Sequence, residues 1–560
     1  MADRAEGRAV VTARTLAGLL KARAETHADA IALRCRVAGD EWRERTWAAY
    51  WDGARRAAAG LWARGVRPGD HVLMLVTDVE SAVLTLFGAW SIGAVPIQVG
   101  LPFRLGDVAG FIAQLEDTAA RLDARALVLS RALAPFAPTS ASLPVHVAEE
   151  VVESEPAEGL PHPDEFAADT ALIQLTSGST GSPRGVVLTH ERLLRHLHCM
   201  SRVLPSRADS VAVSWLPLHH DMGLIGGLLF PFYNGFTANM MSPLDFRGRP
   251  LVWLEAMAKF RATICAAPPS AYAMLLRLAP RAIAAGYDLS AWECAMIGAE
   301  PIAPELLRRF ADAFAPANFR AEAFFPVYGL AEATVAVSFP RLLAPARVVR
   351  LDRLALERDG VAAPSDEPHA LELVGVGRPI PETKVRVVDA AGNLLPDRRV
   401  GEIRVCASTL MRGYYKDPAA TEEALAEGWL RTGDLGFVDR GELFITGRLK
   451  DIIIRGGLNL IPTVIEDIAG AVDGVRPGGV AAVGVREPEL ETEVVYLVVE
   501  TRLEGQDQKD LRERLDAALQ VCGVTVDRIA LVAPGALPKT TSGKLRRREI
   551  AAALGRGEAL

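Results

Sequence analysis

Only six cysteines occur in the 560 residues, and Cys35, Cys199, Cys265, Cys294, Cys406 and Cys522 are scattered with no CxxC pair. That spacing offers neither a zinc site nor a disulfide framework, and it suits reduced thiols in a cytoplasmic protein. Positive charge is not in excess either. The net charge is -7, with 62 Lys and Arg against 69 Asp and Glu, which argues against bulk attraction to nucleic acid. The first residues, MADRAEGRAVVTARTLAGLL, contain no apolar core of secretory length followed by a cleavage signal. Internal repeats and long low-complexity tracts are also absent. One stretch, Ser81 to Phe103, has no charge and is long enough to cross a bilayer. Pro96, Gly100 and Pro102 interrupt it, however, so it reads as a buried helix followed by the short buried strand AVPIQV.

What is present is ordinary globular composition, 50% hydrophobic and 23% charged, in a chain long enough for several domain-sized units. Helical and strand signals alternate through most of the first 340 residues. RERTWAAYWDGARRAAAGLWARGV reads as a helix, HVLMLV as a buried strand and SAVLTLFGAWSIGA as a helix, a succession that predicts a mainly parallel α/β sheet. From about Leu371 the texture changes to short strands of period two, KVRVVD and GEIRVC, and LGFVDRGELFITG predicts a hairpin turning at Arg440-Gly441. After GRLKD a compact α/β tail follows, with strands VAAVGV and VVYLVV and the helix QKDLRERLDAALQ.

The segment TSGSTGSPRG lies between the apolar strand ALIQL and THERLLRHLHCMSRVL, whose Leu193, Leu194, Leu197, Met200 and Val203 form a helical apolar stripe. A flexible linker has no reason to sit between a core strand and an amphipathic helix. A phosphate loop does, because glycines let backbone N–H groups approach oxygens and hydroxyls add donors. No Walker A pattern can be aligned here.

The string resembles the phosphate-binding signature of the adenylate-forming superfamily, which includes acyl-CoA synthetases, luciferases, nonribosomal adenylation domains and fatty acyl-AMP ligases. The resemblance implies that Thr176, Ser177, Gly178, Ser179, Thr180 and Gly181 hold ATP phosphates, with Arg184 where the family usually has lysine. Further motifs follow in family order. WLPLHHDMGLIGG (Trp215–Gly227) is similar to the acyl-substrate motif of fatty acyl-AMP ligases and gives His220 a role in gating the acyl pocket. The two histidines point to different sides of an extended chain, so a shared metal is not expected. GAEP implies an adenine-side loop with Gly298, Ala299 and Glu300. VYGLAEAT implies that Tyr328 stacks on adenine beside Gly329 and Leu330 and that Glu332 coordinates magnesium; Ala331 replaces the commoner threonine. A carboxylate near a triphosphate needs a hard cation between them. LRTGDLG supplies Asp434 for the ribose hydroxyls, and GRLKD supplies Arg448 for ribose or phosphate and Lys450 as a hinge. In LPKTTSGKLRRR, Lys544 matches the catalytic lysine, an ammonium that offsets the repulsion between a carboxylate and the α-phosphate. Arg546 to Arg548 read as solvated surface.

The resemblance implies an α/β fold with a large N-terminal adenylation domain (1–449), whose β-rich part covers about 371–449. A small mobile α+β domain (451–560) would turn about Lys450. It implies ATP and Mg2+, a medium- or long-chain fatty acid, and transfer of the acyl group to the phosphopantetheine of an acyl carrier protein, such as one serving a polyketide or nonribosomal peptide synthase. The wording of HDMGLIG and YGLAEATVAVSF, and a polar-rich insertion between Phe339 and Leu371, favour the fatty acyl-AMP ligase branch. In GLNLIP (Gly457–Pro462) Leu458 stands where that branch often has arginine, which weakens acceptor contacts there. An acyl-CoA synthetase is the nearest alternative, and a non-catalytic nucleotide-binding scaffold is the alternative of another class.

Overall fold

A computed structural model describes residues 13–37, 39–101, 108–138, 143–166, 169–176, 183–204, 206–207, 209–486, 492–540 and 544–558. The first half contains two parallel sheets. One has seven strands, running in space from Phe324–Pro326 through Cys294–Ile297, Ile264–Ala267, Val211–Ser214, Thr237–Met240 and Ile31–Arg36 to Trp42–Thr46, with only the last antiparallel. The other orders Val95–Gln98, His71–Leu75, Ala124–Leu129 and Val145–Val147. The expected α/β architecture is thus present.

The uncharged run is a fully buried helix, Val79–Ser91, capped by Asp78, whose carboxylate accepts from Ser81 N at 2.8 Å. It lies against the helix Trp47–Ala63 at close range: a Cβ on Gly88 would stand 2.6 Å from Ala57 Cβ, and one on Gly53 2.8 Å from Leu84. Small residues therefore set this crossing. Among the described residues no helix is long and apolar enough to cross a membrane.

Two local expectations are corrected. Arg43–Thr46, read as the start of a helix, belongs to the strand Trp42–Thr46, and Thr46 caps the helix that follows. The strand's period of two sends Arg43 and Arg45 to one side, where both grip the buried carboxylate of Glu80, Arg45 at 2.6 Å. The glycine-serine segment, in turn, does not join a strand to a helix. It closes an antiparallel hairpin of Thr170–Thr176 and Arg184–Thr189, and the helix His190–Val203 begins only after the second strand. The short apolar run GVVL carries no period of its own by which to mark this second strand.

The β-rich part pairs Thr383–Val388, Gly401–Ala407, Trp429–Asp439 and Glu442–Arg448 in one antiparallel sheet. Its hairpin turns at Arg440 and Gly441, both with positive φ (55° and 76°), the backbone of a tight two-residue turn. Beyond it, residues 453–554 build their own core on the strands Val480–Arg486, Glu493–Glu500 and Arg528–Val532. Leu497, Leu511 and Leu515 pack on one face, Val483, Val498 and Ile550 on the other.

The insertion between Phe339 and Leu371 is ordered. Val348–Leu351 pairs with Leu371–Val374, and the helix Arg353–Asp359 packs on the C-terminal hairpin strand Leu458–Leu460. Leu351 and Leu356 share an apolar cluster with Phe437, Phe444 and Ile461, and Arg353 donates to the carbonyl of Gly523.

Candidate active site

The hairpin bearing the hydroxyl-glycine segment ends in register at Thr176 opposite Arg184. Ser177, Gly178, Ser179, Thr180 and Gly181 lie outside the described residues. A third strand, Gly413–Tyr414, pairs with Val187 and Val186 and fixes the hairpin to the β-rich part.

Asp434 and Arg448 are cross-strand partners on neighbouring strands of the β-rich sheet. Arg448 Nε donates to Asp434 Oδ1 at 3.0 Å, and the buried Tyr328 hydroxyl donates to Oδ2 at 2.7 Å. Burial and the Asp434 charge push the Tyr328 hydroxyl well above its ordinary value, so it stays a donor. Two glycines let the adjoining loops run close together. A Cβ on Gly298 would meet the Val327 carbonyl oxygen at 2.7 Å, and one on Gly329 would lie 1.6 Å from that of Val335. Ala299 adopts φ 66°, while Leu330 packs half-buried against the core. The Glu300 carboxylate accepts from both the backbone N–H and the hydroxyl of Ser270, each at 3.0 Å. It thus caps the helix Pro269–Leu276, and its part in the loop is to anchor it.

His219 and His220 do not lie on an extended chain; they sit in a turn that enters a π-helix, Met222–Leu229. Wider π-helical winding recurs at functional sites. His220 Nδ1 stands 2.8 Å from Asp221 Oδ1. Burial alone would raise the Asp221 carboxyl, but His220, Lys544 and the Met222 amide outweigh it and hold the group below its ordinary value. The His219 ring is pushed down to about 4 by burial and by His220, and is neutral at physiological pH.

Glu332 accepts one hydrogen bond from the Tyr414 hydroxyl at 2.9 Å. Burial, aided by the nearby Asp221 carboxylate, raises its carboxyl above the ordinary range against the pull of Tyr414 and Arg448. Among the described residues no basic side chain forms an ion pair with it, and no group of three or more His, Cys, Asp or Glu could hold a metal ion. A half-buried carboxylate near a second acid, with no basic partner among the described residues, fits a hard cation.

Lys544 comes into this cleft from the C-terminal part. Burial and the Arg448 guanidinium push its ammonium below the usual lysine range, while Asp221, Glu300 and Asp434 pull the other way. One cation from the end of the chain is thereby gathered with three carboxylates from three separate motifs. The segment behind it corrects a further expectation: Arg547 is not solvated. It forms a two-pronged pair with Glu466 (2.9 and 2.6 Å) and reaches Asp451 at 3.4 Å, whereas the exposed Arg546 pairs with Glu549 three residues on. Lys450, the residue before Asp451, is exposed in the turn between Glu442–Arg448 and Ile453–Arg455. Asp221, Tyr414 and Arg547 were not singled out from sequence. Asp221 stands inside the quoted HHDMG string, but nothing in GYY marks Tyr414.

An ammonium set in a cleft that holds an Asp–Arg pair, a buried phenol and a carboxylate with no basic partner among the described residues has the charge pattern for joining a carboxylate to a nucleotide phosphate. Fold and site together define an ATP-dependent adenylate-forming enzyme. The chain belongs to the AMP-binding enzyme family, which it matches over residues 20–415. It is 34% identical over 532 residues to the 4-hydroxyphenylalkanoate adenylyltransferase of Mycobacterium marinum, covering 90% of this chain and 84% of that protein. It is 37% identical over 404 residues to the medium-chain-fatty-acid–(acyl-carrier-protein) ligase JamA of Moorena producens, covering 69% and 68%. A structure from a study of fatty acyl-adenylate ligases of E. coli and L. pneumophila superposes with a TM-score of 0.88 at 32% identity, over 97% of this chain and 98% of that one.

Proposed function

We propose that the protein is a fatty acyl-AMP ligase: it joins a medium- or long-chain fatty acid to AMP from ATP, releases pyrophosphate, and passes the acyl group to a carrier-protein phosphopantetheine thiol. The observation that carries the adenylation step is Lys544, half-buried and within electrostatic reach of Asp434, Arg448 and Asp221. Its ammonium bridges the attacking carboxylate and the α-phosphate, where charge develops as the oxygen attacks phosphorus. Asp434 takes the ribose hydroxyls, Arg448 orients Asp434 and faces the phosphate side, and Tyr328 and the backbone of Gly298–Glu300 and Gly329–Leu330 flank the adenine. The hydroxyl-glycine segment, Thr176 to Gly181, wraps the phosphates. Magnesium, held by Glu332, would supply charge neutralisation between β- and γ-phosphates. His220, oriented by Asp221, gates the acyl entrance along the π-helix. After adenylation the small domain turns about Lys450.

The choice of carrier protein over CoA is supported by the ordered insertion. Its helix Arg353–Asp359 lies on the C-terminal hairpin, and Arg353 reaches Gly523, which restrains the part that must move to admit a new acceptor. The test is hydroxamate trapping and ATP–pyrophosphate exchange across a panel of fatty and aryl-alkanoic acids, followed by CoA and holo-carrier protein offered side by side. Exchange with C8–C16 acids and transfer to carrier protein alone are expected. Efficient acyl-CoA formation would make the protein an acyl-CoA synthetase, and no exchange with any acid would make it a scaffold.

A further inference from the structure

Tyr414 belongs to none of the motifs above, yet it ties two of them together. Its strand, Gly413–Tyr414, is hydrogen-bonded to the hairpin beside the phosphate loop, with Tyr414 in register with Val186. Arg412 N donates to Val187 O at 2.9 Å and Tyr415 N to Gly185 O at 2.8 Å, so the whole segment is fixed to that hairpin. On its other side the same segment holds Glu332 twice: Met411 N donates to the Glu332 carbonyl at 2.8 Å, and the Tyr414 hydroxyl donates to Oε1 at 2.9 Å. The Arg184 guanidinium, at the loop's closing position, lies 5.2 Å from the Tyr414 ring centroid. A carboxylate held by one oxygen on a segment bonded to the phosphate-loop hairpin has its orientation relative to the phosphates fixed before any nucleotide arrives.

We infer that Tyr414 is a positioning residue: by fixing one oxygen of Glu332 and sharing a strand with the phosphate-loop hairpin, it presets the carboxylate for the cation that accompanies ATP. This rests on the reading of Glu332 as the magnesium-facing acid. No bond is made or broken at Tyr414; the phenol stays protonated and donates one hydrogen bond.

The test is calorimetric titration of ATP binding as a function of Mg2+ concentration, and again in EDTA, for the full-length wild type, Y414F, E332Q and the double variant. Phenylalanine keeps the ring under Arg184 and removes only the hydroxyl. Y414F is expected to raise the Mg2+ concentration for half-maximal binding about five- to tenfold, the loss of one charge-assisted hydrogen bond. ATP affinity in EDTA, fatty-acid KM and the exchange rate at saturating Mg2+ should stay near wild type. In the E332Q background the added Y414F change should produce no further shift. An unchanged Mg2+ requirement in Y414F beside a shifted one in E332Q overturns the role of Tyr414 alone. Equal weakening in EDTA, or full additivity with E332Q, also overturns it. An unshifted requirement in E332Q removes the magnesium reading of Glu332 and this inference with it.

Discussion

Replacing Lys544 with alanine removes a cation that the C-terminal part brings within reach of Asp221, Glu300 and Asp434. At about 4 Å and an effective dielectric near 20, a unit charge pair is worth about 4 kcal/mol, but only the part that grows in the transition state accelerates the reaction. Loss of one such preorganised group typically costs about 3 kcal/mol, on the order of 10² in rate, with 10³ as the upper expectation. ATP–pyrophosphate exchange with a saturating fatty acid should therefore fall by 10²–10³ in K544A. ATP binding by calorimetry should change little, since Asp434, Arg448 and Tyr328 hold one another without the lysine. Stability should not drop either, because a half-buried ammonium whose pKa is lowered in the fold disfavours the folded state, and its removal relieves that cost. The same depression gives a pH signature. The wild-type rate should decline as pH rises through the lowered lysine value, below the usual lysine range, and the residual K544A rate should lack that decline. Undiminished exchange in K544A, or an alkaline limb retained without the lysine, refutes the bridging role.

Asp434→Ala should raise the KM for ATP roughly tenfold or more through loss of charge-assisted bonds, and cost stability by leaving the buried Tyr328 hydroxyl without its acceptor, read from exchange kinetics and thermal melts. Arg547→Met leaves Glu466 and Asp451 facing each other without a cation. Since the arginine side chain is 18% exposed, about 2–3 kcal/mol is expected, read from urea unfolding, with slower adenylation because the segment bearing Lys544 is loosened. Gly329→Ala puts a methyl 1.6 Å from a carbonyl oxygen and should abolish ATP binding or folding, read from calorimetry and soluble yield. His190 and His219 are held at about 4 and His196 at about 3, chiefly by burial. The unfolded chain takes up their protons below about pH 6.5 while the folded one does not, so stability is complete above 6.5 and falls as pH drops toward 4, by on the order of 2–3 kcal/mol per histidine. Urea midpoints measured from pH 7.5 to 4.5 check this slope, and a flat profile contradicts it.

Much of the site was legible because its residues sit in short strings where spacing is the constraint: Gly329 cannot carry a side chain, and Asp434 and Arg448 are partners on adjacent strands. What stayed hidden depends on contacts across long sequence distances. Tyr414 reaches Glu332 over 82 positions, and Arg547 reaches Glu466 over 81. A basic triplet looks solvated from within its own segment, since nothing local records that one acid waits on the helix Pro462–Gly470 and another in the turn at Asp451. The strand Trp42–Thr46 was lost in the same way: its arginines are explained by Glu80, which lies 35 to 37 positions further on.

If the small domain turns about Lys450, as proposed, the choice of acceptor would follow from what each contact does in that turn. Arg547, Glu466 and Lys544 belong to one body and move together, so their ion pair keeps the lysine segment shaped but cannot oppose rotation. Arg353 on Gly523, and Leu356 in the cluster with Ile461, join the insertion to that body and must separate or slide. Weakening them selectively, as in Arg353→Ala, should therefore leave pyrophosphate exchange near wild type while raising acyl-CoA formation severalfold relative to carrier-protein acylation. Exchange and acceptor preference that fall or hold together would mean the insertion braces the fold without governing the acceptor.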